Sequence, residues 1–208
     1  MHIEAVHAID PNGSDVTLTL GDAGSRRMTL RMVGRHQVAN AALAAAAALL
    51  FEPRLTGDAL VEGLSRARWP GRFEPCPAHP EVWWDGAHNP QGAATLRDTW
   101  KEAMRDAPAT LLLGVSDDKD TQGMLAALAG PWARVEAVRA RMPRAMDDRT
   151  LAALVSAAWP KAVVHAAGDV GSALQRAREH GETVLVCGSL FVVGEAMAAC
   201  GAGDLEQL

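Results

Sequence analysis

Residues 83–90 read Trp-Trp-Asp-Gly-Ala-His-Asn-Pro and put a carboxylate, an imidazole and a carboxamide within a few positions of one another. The apolar tryptophans suit the end of a strand, which delivers Asp85 into a tight Gly-Ala turn. Asn89 suits a helix N-cap and Pro90 the first helical position, so the stretch reads as strand, loop, helix. Such a junction gathers free backbone N–H groups, a carboxylate and an imidazole at the carboxyl edge of a sheet, where open α/β folds bind ligands. Taken alone, Asp85 is as readily a turn aspartate as a ligand contact, and His88 as readily a surface histidine at a helix start.

Four other places carry comparable chemistry. Arg72 follows Pro70-Gly71; a guanidinium can grip phosphate oxygens through two parallel N–H bonds, although a solvated hinge arginine is the commoner fate. Asn40 heads a run of Ala and Leu, and an amide in such a helix needs a partner; His36, four residues earlier, reads as structural. Ser189 follows Gly188 at the end of the last strand and heads an apolar helix, where its hydroxyl serves equally as an N-cap or, with nearby N–H groups, as a carboxylate receptor. Asp117, Asp118 and Asp120 surround Lys119 in a charged loop with no His or Cys beside it, which reads as an exposed acidic loop, and no metal is assigned to it.

The elements that must position these groups follow from the pattern. Runs at 2–10, 16–20 and 26–33, separated by turns at 11–14 and 21–25, predict a small antiparallel meander. Residues 38–51 predict a helix apolar on nearly every side and therefore buried all round, which 208 residues can hardly cover, so the chain is expected to be cut from something larger. A second helix at 57–66 is stopped by Trp69-Pro70-Gly71, and a boundary is expected at 69–72. Beyond it, strands at 82–85, 110–115, 135–138, 162–165 and 183–187 alternate with helices at 90–105, 122–128, 148–158, 169–180 and 190–200. That alternation predicts βαβ units and right-handed crossovers. The expected fold class is α/β: a Rossmann-like, mainly parallel sheet in residues 71–208, preceded in residues 1–70 by the meander and two helices.

Composition bounds the function. With 49% hydrophobic and 22% charged residues the chain is globular, and a formal net charge of −5 gives no electrostatic reason to expect nucleic acid or an anionic membrane. Cys76, Cys187 and Cys200 are odd in number and lack a CxxC pair, which argues against a disulfide framework or zinc site and favours a reduced, cytoplasmic setting. The longest apolar stretch is too short to span a bilayer, and no signal-peptide pattern opens the chain.

Three stretches in order, GRHQVANAALAAAAAL (34–49), RWPGRFE (68–74) and WWDGAHNPQGA (83–93), together resemble folylpolyglutamate synthase and dihydrofolate synthase of the Mur ligase superfamily. LLLGVSDDKD (111–120) and VLVCGSLFVVGEA (184–196) resemble that family's later loops. The resemblance implies an ATP-dependent ligase that adds L-glutamate to folate or dihydropteroate through an acyl phosphate. It casts residues 1–70 as the remnant of a central ATPase domain and residues 71–208 as the C-terminal domain. No G-x-x-x-x-G-K-[ST] occurs in the chain, so the P-loop and the Mg2+ ligands are expected in a region outside it, and the chain alone is expected to be inactive. The intact parent is expected to be a monomer.

By the same resemblance Asp85 receives the ribose hydroxyls, as a carboxylate can accept two hydrogen bonds from a vicinal diol. Arg72 reaches the nucleotide phosphates and Asn40 contacts adenine. His88 lies near the phosphates or the incoming glutamate, offsetting charge as imidazolium or orienting the amine as a neutral ring. Ser189 receives the glutamate α-carboxylate, and Lys119 approaches substrate. The rivals are a Mur ligase of peptidoglycan synthesis and a non-catalytic nucleotide-binding module. A dinucleotide-dependent oxidoreductase ranks below both, because DGAHNP lacks the G-x-G-x-x-G turn.

Overall fold

The computed structural model describes residues 2–19 and 24–201; position 20 of the predicted second strand and positions 21–23 of the turn after it lie outside them. The chain divides into two compact units, one made of residues up to Pro70 with Thr99–Arg105, the other of Gly71–Asp98 with the rest from Asp106 onward.

In the first unit, strands β1 (His2–Asp10), β2 (Gly13–Thr19) and β3 (Ser25–Leu30) form an antiparallel meander. β2 starts earlier than expected because Asp10 pairs directly with Gly13 across a turn of two residues. Alternate side chains Val16, Leu18, Met28 and Leu30 point one way, and they pack against Val38, Ala41 and Ala45 of α1 (Arg35–Phe51) and Leu60 of α2 (Gly57–Arg66). Thr56 caps α2, its hydroxyl accepting from the Ala59 amide at 3.2 Å. Arg35 forks onto Glu102 with N–O distances of 3.0 and 2.6 Å.

Residues 38–51 are expected to need covering all round, and this chain covers one stripe of them. A narrow meander covers only the stripe of Val38, Ala41 and Ala45, while Leu43, Leu50 and Phe51 are 71, 86 and 93% exposed. Helical propensity made the helix, and composition alone did not say how many of its sides would be covered.

The second unit holds a six-stranded sheet in the order β4-β5-β9-β6-β7-β8, where β4 is Glu74–Cys76, β5 His79–Trp84, β6 Ala109–Leu113, β7 Trp132–Val138, β8 Val163–Gly168 and β9 Val184–Cys187. All neighbours are parallel except β4 with β5. The intervening helices are α3 (Pro90–Ala103), α4 (Thr121–Leu128), α5 (Asp148–Ala158), α6 (Val170–Glu179) and α7 (Leu190–Ala199). The connections step outward from β6 to β8 and then return to the middle, where β9 inserts between β5 and β6. Right-handed crossovers put α6, the returning connection, on the face opposite α4 and α5. There Val170, Ala173, Leu174 and Ala177 pack with Val184, Val186 and Val138, together with Val192 and Ala196 of α7.

The α/β alternation is as expected, with one addition. β4 escapes the strand pattern because it is three residues long, carries Pro75 and sits at the sheet edge, where proline costs no ladder bond. α3 stops at Ala103, short of the expected residue 105, because Arg105 and Asp106 turn to φ 54° and 55°.

Candidate functional site

Strand order reverses at the carboxyl ends of β5, β9 and β6, the place where open α/β sheets have their ligand crevice. Trp84 and Val186 are register partners, so Asp85 and the Cys187-Gly188-Ser189 turn leave adjacent strands side by side. The Asp85 amide donates to the Val186 carbonyl at 3.0 Å, and the Gly188 amide donates to the Ala87 carbonyl at 3.0 Å. On the other flank the Gly86 amide donates to the Gly71 carbonyl at 2.8 Å. The DGAHNP loop is thus fastened by backbone bonds to the GS turn on one side and to the PGR turn on the other. Gly188 has φ 100°, and a Cβ there would lie 2.5 Å from the Gly114 carbonyl oxygen; only glycine permits this approach.

Asp85 is 7% exposed. Burial pushes its carboxyl up to about 6; the Ala87 amide, the Arg72 guanidinium, the Phe73 amide and His88 pull in the opposite direction. The Ala87 bond to Oδ1 is 2.8 Å long. Phe73 reaches the carboxylate with its backbone N–H from a left-handed conformation, φ 44°, which costs about 1 kcal/mol or more for a non-glycine residue. Its ring is held against Trp83, with centroids 5.2 Å apart. Burial, with a smaller contribution from this carboxylate, pushes the Cys187 thiol upward, so that thiol stays protonated.

His88 is half-buried, and its Nδ1 lies 2.7 Å from the Gly86 carbonyl. A carbonyl only accepts, so Nδ1 carries the proton and Nε2 is left as the ring's acceptor when the ring is neutral. Asn89 Oδ1 accepts from the Gly92 amide at 2.7 Å and caps α3. Ser189 is buried; its Oγ accepts from the Phe191 amide at 3.2 Å as the N-cap of α7. Leu190 and Phe191 beside it are more than half exposed.

The structure therefore brings Arg72, Asp85, His88 and Ser189 to one edge of the second unit. Asn40 belongs to the first unit and is exposed, with Nδ2 donating to Gln37 Oε1 at 3.1 Å. Its amide finds the expected partner in Gln37, one turn earlier, on a side of α1 that this chain leaves uncovered. The acidic loop is divided among structural duties. Asp120 Oδ1 caps α4 by accepting from the Gly123 amide at 2.8 Å, and Asp118 pairs with Arg144 at 3.0 Å.

Sequence reasoning missed Glu74, whose Oε1 accepts from the Gly71 amide at 2.9 Å and from Trp84 Nε1 at 3.2 Å. It fixes the turn that carries Arg72. The signal was present in RWPGRFE, where a lone carboxylate follows a Pro-Gly turn, but only the arginine suggested chemistry.

A six-stranded wound sheet with a polar loop at its switch point, packed as its own unit, defines an α/β domain of the doubly wound class. The family model described as "Dihydrofolate synthetase, C-terminal domain" matches residues 77–199, and the chain belongs to that family. It is 35% identical over 178 residues to a protein of Haloferax volcanii named probable bifunctional folylpolyglutamate synthase/dihydropteroate synthase, covering 84% of this chain and 21% of that protein. It superposes with TM-score 0.84 and 30% identity on Mycobacterium tuberculosis folylpolyglutamate synthase complexed with ADP and AMPPCP, covering 95% of this chain and 48% of that one. The Thermotoga maritima folylpolyglutamate synthase gives TM-score 0.81 and 27% identity, covering 97% and 47%. The chain thus spans less than half the length of these relatives.

Proposed function

We propose that this chain serves as the C-terminal part of an ATP-dependent ligase that joins L-glutamate to folate or dihydropteroate, in the cytoplasm. One observation carries the reading: a carboxylate almost completely buried beside a guanidinium, on a loop fastened by backbone bonds at the switch point of the sheet. Its support outside the chain is the set of relatives named as folylpolyglutamate synthases, one of them complexed with ADP and AMPPCP. Those names favour the folate branch over a peptidoglycan ligase.

In this reading residues 1–70 are the end of a central ATPase domain, and residues 71–208 hold nucleotide and amino acid. Asp85 receives the ribose hydroxyls. With a carboxyl raised only to about 6, it is mostly ionised at neutral pH and keeps lone pairs beyond those used by Ala87 and Phe73. Arg72 offers its fork to the phosphates, and its field also favours the ionised form of Asp85. Asn40 contacts adenine. His88, anchored through Nδ1, orients the amine of the incoming glutamate through Nε2 as a neutral ring or offsets charge near the phosphates as imidazolium. Ser189 has its Oγ engaged in capping, so it receives the glutamate carboxylate through its O–H and the N–H groups at the start of α7.

ATP and Mg2+ are the expected co-substrate and ion. This chain's aspartates at 118 and 120 are committed to Arg144 and to α4, and no metal ligand is assigned among them. The test is glutamate incorporation by the full-length protein carrying this chain, with dihydropteroate and tetrahydrofolate as separate acceptors. ATP-dependent incorporation into either is expected; incorporation into neither would overturn the reading.

A further inference from the structure

Away from the crevice, an open hollow of about 440 Å³ lies between β7, the edge strand β8 and the end of α6, lined by Arg134, Glu136, His165, Arg176 and His180. Glu136 is 3% exposed and forms the floor. It faces His165 across the parallel ladder, register partner to register partner, with Oε1 3.0 Å from Nδ1. Every other charged or chargeable group of the lining is basic.

The hydrogen-bond arithmetic sharpens this. His165 Nδ1 also lies 3.4 Å from Arg134 Nη1, yet one ring nitrogen cannot donate to the carboxylate and accept from the guanidinium together. A carboxylate accepts and a guanidinium only donates, so the shorter contact takes the Nδ1 proton and the Arg134 nitrogen is left for another acceptor. Arg176 spends Nη2 on the Ala167 carbonyl at 2.8 Å, which anchors its fork at the rim while other N–H donors remain. His180 is exposed at the C-cap of α6. A single buried carboxylate therefore positions the imidazole, and two guanidinium groups stand over the same opening. Planar forks of that kind match the oxygens of phosphate or carboxylate.

We propose that this hollow is a second binding site, distinct from the crevice, for a small oxyanion held by the guanidinium groups of Arg134 and Arg176 beside the ring of His165. Glu136 is its positioning residue and does not touch the ligand. The site stands independently of the ligase reading, because none of its residues belongs to the crevice.

The test is site-specific. Inorganic phosphate, and separately citrate, is titrated at fixed pH into the full chain while the His165 Hε1 resonance is followed by NMR. Saturable displacement with a Kd at or below about 1 mM is expected for at least one anion, phosphate alone indicating a phosphorylated ligand and citrate alone a polycarboxylate. Arg134→Gln and Arg176→Gln should each weaken it about tenfold, and Arg72→Gln should leave it unchanged. Absence of saturation with both anions in the wild-type chain would overturn the proposal, as would saturation insensitive to both arginine variants. Should Arg134→Gln fail to fold, Arg176→Gln and the wild-type titration decide alone.

Discussion

The amide of Gly188 donates to the carbonyl of Ala87 at 3.0 Å, tying the turn that carries Ser189 to the loop that carries Asp85 and His88. Loops on adjacent strands need not touch; these are joined by backbone, so substitutions in one are felt in the other.

Gly188→Ala should destabilise the protein by about 2–4 kcal/mol, because it combines an unfavourable φ with a collision against backbone. Gly168 also has positive φ, 74°, but open space where a Cβ would stand. Gly168→Ala should therefore cost only about 1 kcal/mol of backbone strain. Paired denaturant melts check the difference; equal losses would show that the collision at Gly188 is relieved at no cost.

Asp85 should make stability fall as pH rises. Its folded carboxyl titrates at about 6, above the ordinary aspartate value of 3.8, so between those limits the folded state holds a proton that the unfolded state has released. The stabilisation is present below about 4 and lost as pH passes through about 6, an effect on the order of 3 kcal/mol. Asp85→Asn should flatten this part of the pH–stability curve and raise stability at pH 7. Denaturant melts from pH 4 to 7 measure it, and an unchanged slope in the variant would assign the dependence elsewhere.

Arg72→Gln should shift the Asp85 carboxyl further upward, since the guanidinium favours its ionised form. Carboxyl carbon chemical shifts followed against pH would show it. A downward shift would mean that Arg72 does not face the carboxylate in solution.

Asp120→Ala removes the cap on α4 and should cost about 1 kcal/mol. In the full-length protein it should leave the Mg2+ dependence of turnover unchanged. A rise in the Mg2+ requirement would instead make the acidic loop a metal ligand.

Local chemistry was legible in the sequence, whereas relationships made by the fold were not. Asn89 and Pro90 announced the start of α3 because a cap and a fixed φ are properties of single residues. The switch from meander to alternating strand and helix was readable from period alone. The burial of Asp85 was not, since it comes from β9 inserting beside β5, an event set by residues a hundred positions away in the chain. The apolar run of α1 told of helix and gave no means of counting its covered sides. The pairing of Glu136 with His165 depends on strand register, which no local pattern encodes. For a related reason the exposure of Asn40 was not readable: its neighbours in the chain are apolar, but its side of the helix is open.

The central claim is that Arg72 and Asp85 grip the nucleotide. Steady-state kinetics of the full-length protein with ATP varied test it most directly, on Arg72→Ala and Asp85→Ala alongside thermal melts. A fall in kcat/KM for ATP of about 100-fold is expected in each, a loss of roughly 2.7 kcal/mol, with both variants still folded. Values within about twofold of wild type in folded variants would contradict it.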